Sequence, residues 1–253
     1  MIFDAFIYNT EKELLDLRID ILRPFVDRMV LIEGTLTFQG KKRDPQGVAL
    51  EWHRDLDTFL VELPKRTKTP WEREYAQRNA IKAVLAENYV ICSDDVVLIS
   101  DVDEIPNPER LEEAERSARL GHVVAFQQIH TYFALDLEDP EVWYGTRAIS
   151  WELLRKTTPQ DIRSVNSHVG QELIEDGGWH FGWTGGKEAI REKVRAFCHD
   201  DLNDPHLMSD SYLDHCRRTM KTLHNSHALR PLASSRLPKV IQDHPERYGH
   251  FFR

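Results

Sequence analysis

The chain has 253 residues, enough for one full hydrophobic core, and 42 acidic against 33 basic side chains give it a net charge of -9. That balance excludes a protein that coats nucleic acid or anionic lipid, since both need clustered positive charge. Three cysteines, Cys92, Cys198 and Cys216, are too few and too scattered for a disulfide framework or a CxxC zinc site, so a reducing, cytoplasmic compartment is expected. The apolar amino terminus lacks a basic flank and is interrupted by Asp4, unlike a signal peptide, and no apolar run approaches the ~20 residues of a membrane span.

Residues 2–8 read as a first strand. Thr10 followed by Glu13 fits a capping box that opens a helix to about Arg23, with Leu14, Leu17, Ile21 and Leu22 at helical spacing. Residues 27–33, with Met29 to Ile32 apolar, predict a second buried strand and complete a strand, helix, strand unit of nucleotide-binding type. Glu33 stands at its carboxyl end, where a carboxylate accepts from a base or ribose or simply terminates the strand. Residues 37–47 carry turn formers without apolar period and read as a loop over a site, with Lys41, Lys42 and Arg43 facing phosphate or solvent. A strand over 56–63 and a helix from Pro70 to about Glu87 follow. Arg78 and Asn79 lie beside the buried face of that helix without an evident packing role.

The centre of the chain is 95–106, Asp95-Val-Val-Leu-Ile-Ser-Asp101-Val-Asp103-Glu104-Ile-Pro106. Its apolar run predicts a strand buried on both faces, ending in three carboxylates at the edge where open α/β sheets bind ligands. Asp101 and Asp103, one residue apart, can place two hard oxygens around one divalent cation. Without a counter-charge the three acids repel.

An amphipathic helix over 109–120, a strand-like stretch over 122–135 and shorter strands over 142–154 and 167–174 come next. Residues 176–186 hold five glycines and the indoles of Trp179 and Trp183, as in a loop that approaches a sugar ring, or in aromatic packing between sheets. Glu188 opens a helix running to His199, where a carboxylate is held charged as a general base requires, or is ordinary first-turn chemistry. His199 is read as a metal ligand or as a partner of the helix end. A last helix over 210–223 precedes a polar tail over 224–253 that packs on the domain or is partly mobile. No GxGxxG or GxxxxGK[ST] loop is present.

Gln77-Arg-Asn-Ala-Ile81, Ser100-Asp-Val-Asp-Glu-Ile-Pro106, Gly178-Trp-His-Phe181 and Gly185-Gly186, in this order after Phe3-Asp4-Ala-Phe-Ile-Tyr-Asn9, resemble glycosyltransferase family 17 over about residues 2–200. That family includes the bisecting β-1,4-N-acetylglucosaminyltransferase of N-glycans. The resemblance implies an α/β GT-A fold with a mostly parallel central sheet flanked by helices. It is laid out as one catalytic domain over 1–253, with a nucleotide half (1–106), an acceptor half (107–223) and a tail. It also implies a UDP-sugar donor, a glycan or glycoconjugate acceptor, inversion at the anomeric carbon and Mn²⁺ or Mg²⁺ on the Asp-X-Asp motif.

Residue by residue, the resemblance sets Asp101 and Asp103 on the metal, completed by His199 or His180. It sets Asp4, Glu33, Lys41, Arg78, Asn79, Asp101, Trp179 and Trp183 around the nucleotide sugar, and makes Glu188, with Asp176 second, the catalytic base. The membrane anchor and stem of animal Golgi members are not seen, so contact with a membrane is expected only through the acceptor, and no nucleic acid is expected to bind. The competing readings are a haloacid-dehalogenase-like phosphatase, whose nucleophile motif also begins with a hydrophobic residue before Asp-X-Asp but which lies near the amino terminus, and a sugar-binding module without catalysis.

Overall fold

The computed structural model describes residues 1–45, 56–163, 169–198, 202–224 and 226–252. β1 (Ile2–Tyr8), α1 (Lys12–Leu22), β2 (Arg28–Gly34) and β3 (Leu56–Val61) follow the expected strand, helix, strand start. The capping box does not form: Glu11 is the residue before α1, and no side chain caps the helix. α2 (Trp71–Asn88) leads into β4 (Val96–Asp101), a short β5 (Glu104–Pro106) and α3 (Leu111–Arg119).

β6 (Val124–Tyr132) and β7 (Ala134–Ser150) are long, and both carry β-branched and aromatic residues that favour strand. A short helix α4 (Trp151–Leu154) occupies the end of a segment expected to be strand, and α5 (Pro159–Arg163) follows it. Then come β8 (Glu172–Gly182), α6 (Gly186–Ala196), α7 (Asp210–Thr219), β9 (Arg230–Pro231) and α8 (Lys239–Asp243).

Among the described residues the strands form one sheet in the order β3-β2-β1-β4-β7-β6-β8-β5, with β9 on β7. β3, β2, β1 and β4 are parallel, and Ile7 pairs with Asp101 at the carboxyl edge. Beyond β4 the sheet is mixed: β7 is antiparallel to β4 and β6, whereas β8 is parallel to β6. The expected mostly parallel order thus holds for β3, β2, β1 and β4, and beyond β4 only β6 and β8 run parallel. The run Val96–Ile99 is at most 1% exposed, as expected for a strand covered on both faces.

The glycine-rich stretch is strand, not loop, as far as Gly182. A Cβ at Gly178, whose φ is +133°, would stand 2.2 Å from the carbonyl oxygen of Ile105. The glycines there serve the close approach of β8 to β5. The tail packs on the domain: Leu237, Ile241 and Phe251 join the core beside α1, and the Tyr248 hydroxyl donates to Asp20 at 2.7 Å.

One buried cation fixes the turn after β4. Arg18 of α1 is fully buried; its Nε donates to Asp4 at 2.9 Å and its Nη2 to Ser100 Oγ at 2.7 Å. Its Nη1 donates to the carbonyls of Asp101 at 3.1 Å, Val102 at 3.3 Å and Glu104 at 2.9 Å. Asp4, expected at the nucleotide, is instead the buried counter-ion of this guanidinium. Removing one partner of such a pair strands the other charge in the core. Arg18→Met is expected to destabilise the fold by about 3–5 kcal/mol in urea unfolding, and Asp4→Asn to act in the same direction; wild-type stability of both would contradict this role.

Candidate active site

The carboxyl ends of β1 and β4, the inner face of α2 and residues from β6, β7, β8 and α6 enclose a cleft of about 460 Å³. Asp101 and Asp103 lie on its floor. The repulsion expected among the three acids is relieved by three separate basic side chains. Arg78 Nη2 stands 2.8 Å from Asp101 Oδ1, Lys193 Nζ 2.6 Å from Asp103 Oδ2, and Arg163 pairs with Glu104.

Glu104 points away from any ligand: it is fully buried, accepts the N–H of Asp101 at 2.9 Å and the indole N–H of Trp143 at 2.8 Å, and so closes the turn. Burial alone would raise the carboxyl of Asp101, but Arg78 and Arg163 outweigh it and hold it below the ordinary range. Burial likewise opposes ionisation of Asp103, and Lys193 and His180 overcome it, holding that carboxyl well below its ordinary value. Lys193 would be discharged by burial, yet Asp103 and Glu11 raise it above an ordinary lysine. All three stay charged near neutral pH.

Behind these charges lies an aromatic floor. The rings of His180, Trp143 and His130 cluster together, with centroids 4.4 Å (His180 to Trp143), 4.5 Å (His180 to His130) and 5.5 Å (His130 to Trp143) apart, and His180 Nε2 lies 3.5 Å from Asp103 Oδ2. Trp183, with φ of +57°, lines the cleft, and Lys193 Nζ sits 5.8 Å from its ring centroid. The cleft lining also includes Asp139, Glu141 and His227.

The structure therefore brings together Arg78, Asp101, Asp103, His180 and Trp183 from the residues expected. Others lie elsewhere. Asn79 accepts the N–H of Gln160 at 2.9 Å and anchors α5 to α2. Glu33 is buried against Arg43, and Lys41 is exposed in a turn whose Phe38 N–H binds Ala196. Trp179 points to the opposite face of β8, where its indole N–H donates to the Arg236 carbonyl at 2.8 Å. Asp176 is on that side too, exposed and 3.7 Å from Arg110. Glu188 is exposed and holds Arg191 and Arg195 at 3.2 and 3.3 Å, outside the cleft lining. His199 lies outside the described residues.

The sequence reading passed over Lys193, Arg163, Trp143 and the Asp139 wall. Lys193 did leave a signal: it falls in the apolar stripe Ile190, Val194 and Phe197 of α6, where a lysine needs a buried partner.

The chain matches the model of glycosyltransferase family 17 over residues 1–225. It belongs to that family. This family-17 chain is thus a glycosyltransferase, which removes the phosphatase and the non-catalytic lectin. Among solved structures, the chain is similar to a mannosyltransferase from Pyrobaculum calidifontis in complex with GDP-Man and Mn²⁺, at 13% identity over 88% of this chain and 68% of that one, TM-score 0.43. It is also similar to S. aureus TarS in complex with UDP-GlcNAc, at 16% identity over 86% and 73%, TM-score 0.39. A third is 4-diphosphocytidyl-2C-methyl-D-erythritol synthase from Anaerococcus prevotii, at 10% identity over 77% and 95%, TM-score 0.43. No curated protein sequence matches the chain. No helix among the described residues is long and apolar enough to cross a membrane.

The fold family implies a divalent cation on Asp101 and Asp103; among the described residues their oxygens are engaged by basic side chains, and the expected ligand His199 lies outside those residues. Asp101 Oδ1 is bound to Arg78 with Arg163 4.0 Å from Oδ2, and Asp103 Oδ2 is shared by Lys193 and His180. Among the described residues no group of three metal-ligating side chains includes either aspartate.

Lys193→Met in this family-17 enzyme is expected to cost about 3–5 kcal/mol at pH 7 in denaturant unfolding, because Asp103 is left charged and buried. The deficit should shrink as pH falls and the stranded carboxyl takes up a proton. In the wild type the depressed Asp103 carboxyl adds stability above the unfolded value near ~4, and this is lost only as pH falls below it. A deficit independent of pH would contradict the ion pair.

Proposed function

We propose that the chain is an inverting transferase that moves N-acetylglucosamine from a UDP-sugar to a hydroxyl of a glycan or glycoconjugate. The observation that carries this is a single cleft in which Asp101 and Asp103 meet Arg78, Arg163 and Lys193 beside the indoles of Trp143 and Trp183. A sugar diphosphate needs positive charge where the leaving group forms and a flat apolar face for the ring. The basic side chains supply the first and Trp183 the second.

The reaction is a single in-line displacement. The acceptor oxygen bonds to the anomeric carbon, the bond from that carbon to the phosphate oxygen breaks, and UDP leaves with the electron pair. Charge growing on the diphosphate is met by Lys193 and Arg78, held in place by Asp103 and by Asp101 with Glu74. Asp101 and Asp103 act here by orienting cations. The acceptor approaches from the wall of Asp139, Glu141 and His227, and its proton is taken up there, since neither Glu188 nor Asp176 reaches the cleft.

UDP at 100 times its dissociation constant should stabilise the protein by about 2.7 kcal/mol, read as a rise in melting temperature, and Arg78→Ala should remove most of that rise. UDP-N-acetylglucosamine should be slowly hydrolysed to UDP without an acceptor. The absence of both protection by UDP and release of UDP would overturn the proposal; release from a different UDP-sugar alone would overturn the assignment of N-acetylglucosamine.

A further inference from the structure

We propose that His227 is the base of the transfer, receiving the acceptor's proton through the hydroxyl of Ser226 and held in place by Asp139; the assignment rests on the transferase reading. All three side chains line the cleft. His227 Nε2 reaches both Asp139 oxygens, at 2.7 and 2.8 Å, and its Nδ1 lies 3.1 Å from Ser226 Oγ. A carboxylate only accepts, so in the neutral imidazole Nε2 carries the proton and Nδ1 is the bare, basic nitrogen. Ser226 then donates to Nδ1. A hydroxyl on one nitrogen of an imidazole and a carboxylate on the other is the arrangement that draws a proton out of that hydroxyl.

The fold holds each member of this chain of hydrogen bonds. Asp139 is 3% exposed, and its ion-pair partners among the described residues are the imidazoles of His130 and His227. His130 Nδ1 stands 3.7 Å away, beyond hydrogen-bond reach, so His227 is the imidazole that Asp139 orients. Lys221 and Ala228 form an antiparallel bridge, and the Leu223 N–H donates to the Tyr132 hydroxyl of β6. The buried Thr222 places Ser226: its Oγ1 accepts the Ser226 N–H at 3.2 Å and lies 3.0 Å from Ser226 Oγ. The His227 side chain is 34% exposed, open enough to take part in a reaction inside the cleft. Among the described residues the titratable groups set against it are Asp139 and Glu141 of β7 and His130 of β6.

The competing acids are placed less well. Both Asp139 oxygens are taken up by His227, and Glu141 is exposed. In the step itself the acceptor oxygen bonds to the anomeric carbon as its O–H bond breaks. That proton goes to Ser226 Oγ while the Ser226 proton goes to His227 Nδ1, and Asp139 stabilises the imidazolium that results. The electron pair of the bond to phosphate leaves with UDP, and the imidazolium later returns its proton to water.

The test uses the full chain with UDP-N-acetylglucosamine and water in the place of the acceptor, release of UDP being followed against pH. The variants His227→Gln and Ser226→Ala change exposed or half-exposed side chains, and UDP protection in a melting assay reports that fold and donor site are intact. His227→Gln should lower kcat about 100-fold or more, with KM and UDP protection within about 2-fold of the wild type, and Ser226→Ala should lower kcat in the same way. Wild-type kcat should fall as pH is lowered and Nδ1 takes up a proton, and that fall should be absent in His227→Gln and present in Glu141→Gln. Unchanged kcat in His227→Gln, an acid limb lost with Glu141 and kept without His227, or a sugar trapped covalently on Ser226 overturns the proposal and leaves the transferase reading standing. Absence of both UDP protection and UDP release in the wild type overturns the two together.

Discussion

Three acids in four positions at the end of a buried strand are the constraint around which this molecule is arranged. Their repulsion in a low-dielectric site must be met by positive charge, and the chain meets it with one cation per acid, each from a different helix: Arg78 from α2, Arg163 from α5 and Lys193 from α6. A fourth, Arg18 from α1, binds the carbonyls of the same turn. Four helices are thereby tied to one loop. Ion pairs of this kind are weak sources of net stability, because desolvation offsets their attraction. What they do supply is a fixed position, and a transferase that must align a leaving diphosphate needs position more than stability.

The cleft then divides into two walls of different character. On the β4 side, acid and base are paired and held charged. On the β7 side, the ion-pair partners of Asp139 among the described residues are the imidazoles of His130 and His227. Between them, the ring cluster of Trp143, His180 and His130 joins the walls with flat, largely apolar surface. Charge density for a diphosphate on one side and proton-accepting groups on the other match the two ends of a glycosyl transfer, with the sugar ring over the aromatic floor between them.

The first 106 residues were legible in the sequence because their signals are local. Buried parallel strands read as apolar runs, and the first helices show their period, so β1, β2, β4 and α2 fall close to their expected bounds. Asp101, Asp103 and Arg78 were recognisable for the same reason. The second half was less so. The glycines at 177 and 178 stand in β8 because a neighbouring strand comes too close for a side chain, and a single sequence does not say whether a glycine yields to a ligand or to another backbone. Trp179 and Trp183 looked equivalent, yet their places in and just beyond β8 send one to the core and the other to the cleft. Glu188 has the helix-start position of a catalytic base, but its two arginine partners on the exposed face of α6 keep it in solvent. Lys193 and His227 were missed because their partners, Asp103 and Asp139, are 90 and 88 residues away in the chain.

The account stands on the claim that side-chain cations at the end of β4 receive the diphosphate. A crystal structure of the chain with UDP measures this directly. Diphosphate oxygens within about 3 Å of Lys193 Nζ or the Arg78 guanidinium are the predicted result. UDP seated in the groove of Trp179 and Asp176, with those cations still bound only to Asp101 and Asp103, would contradict it.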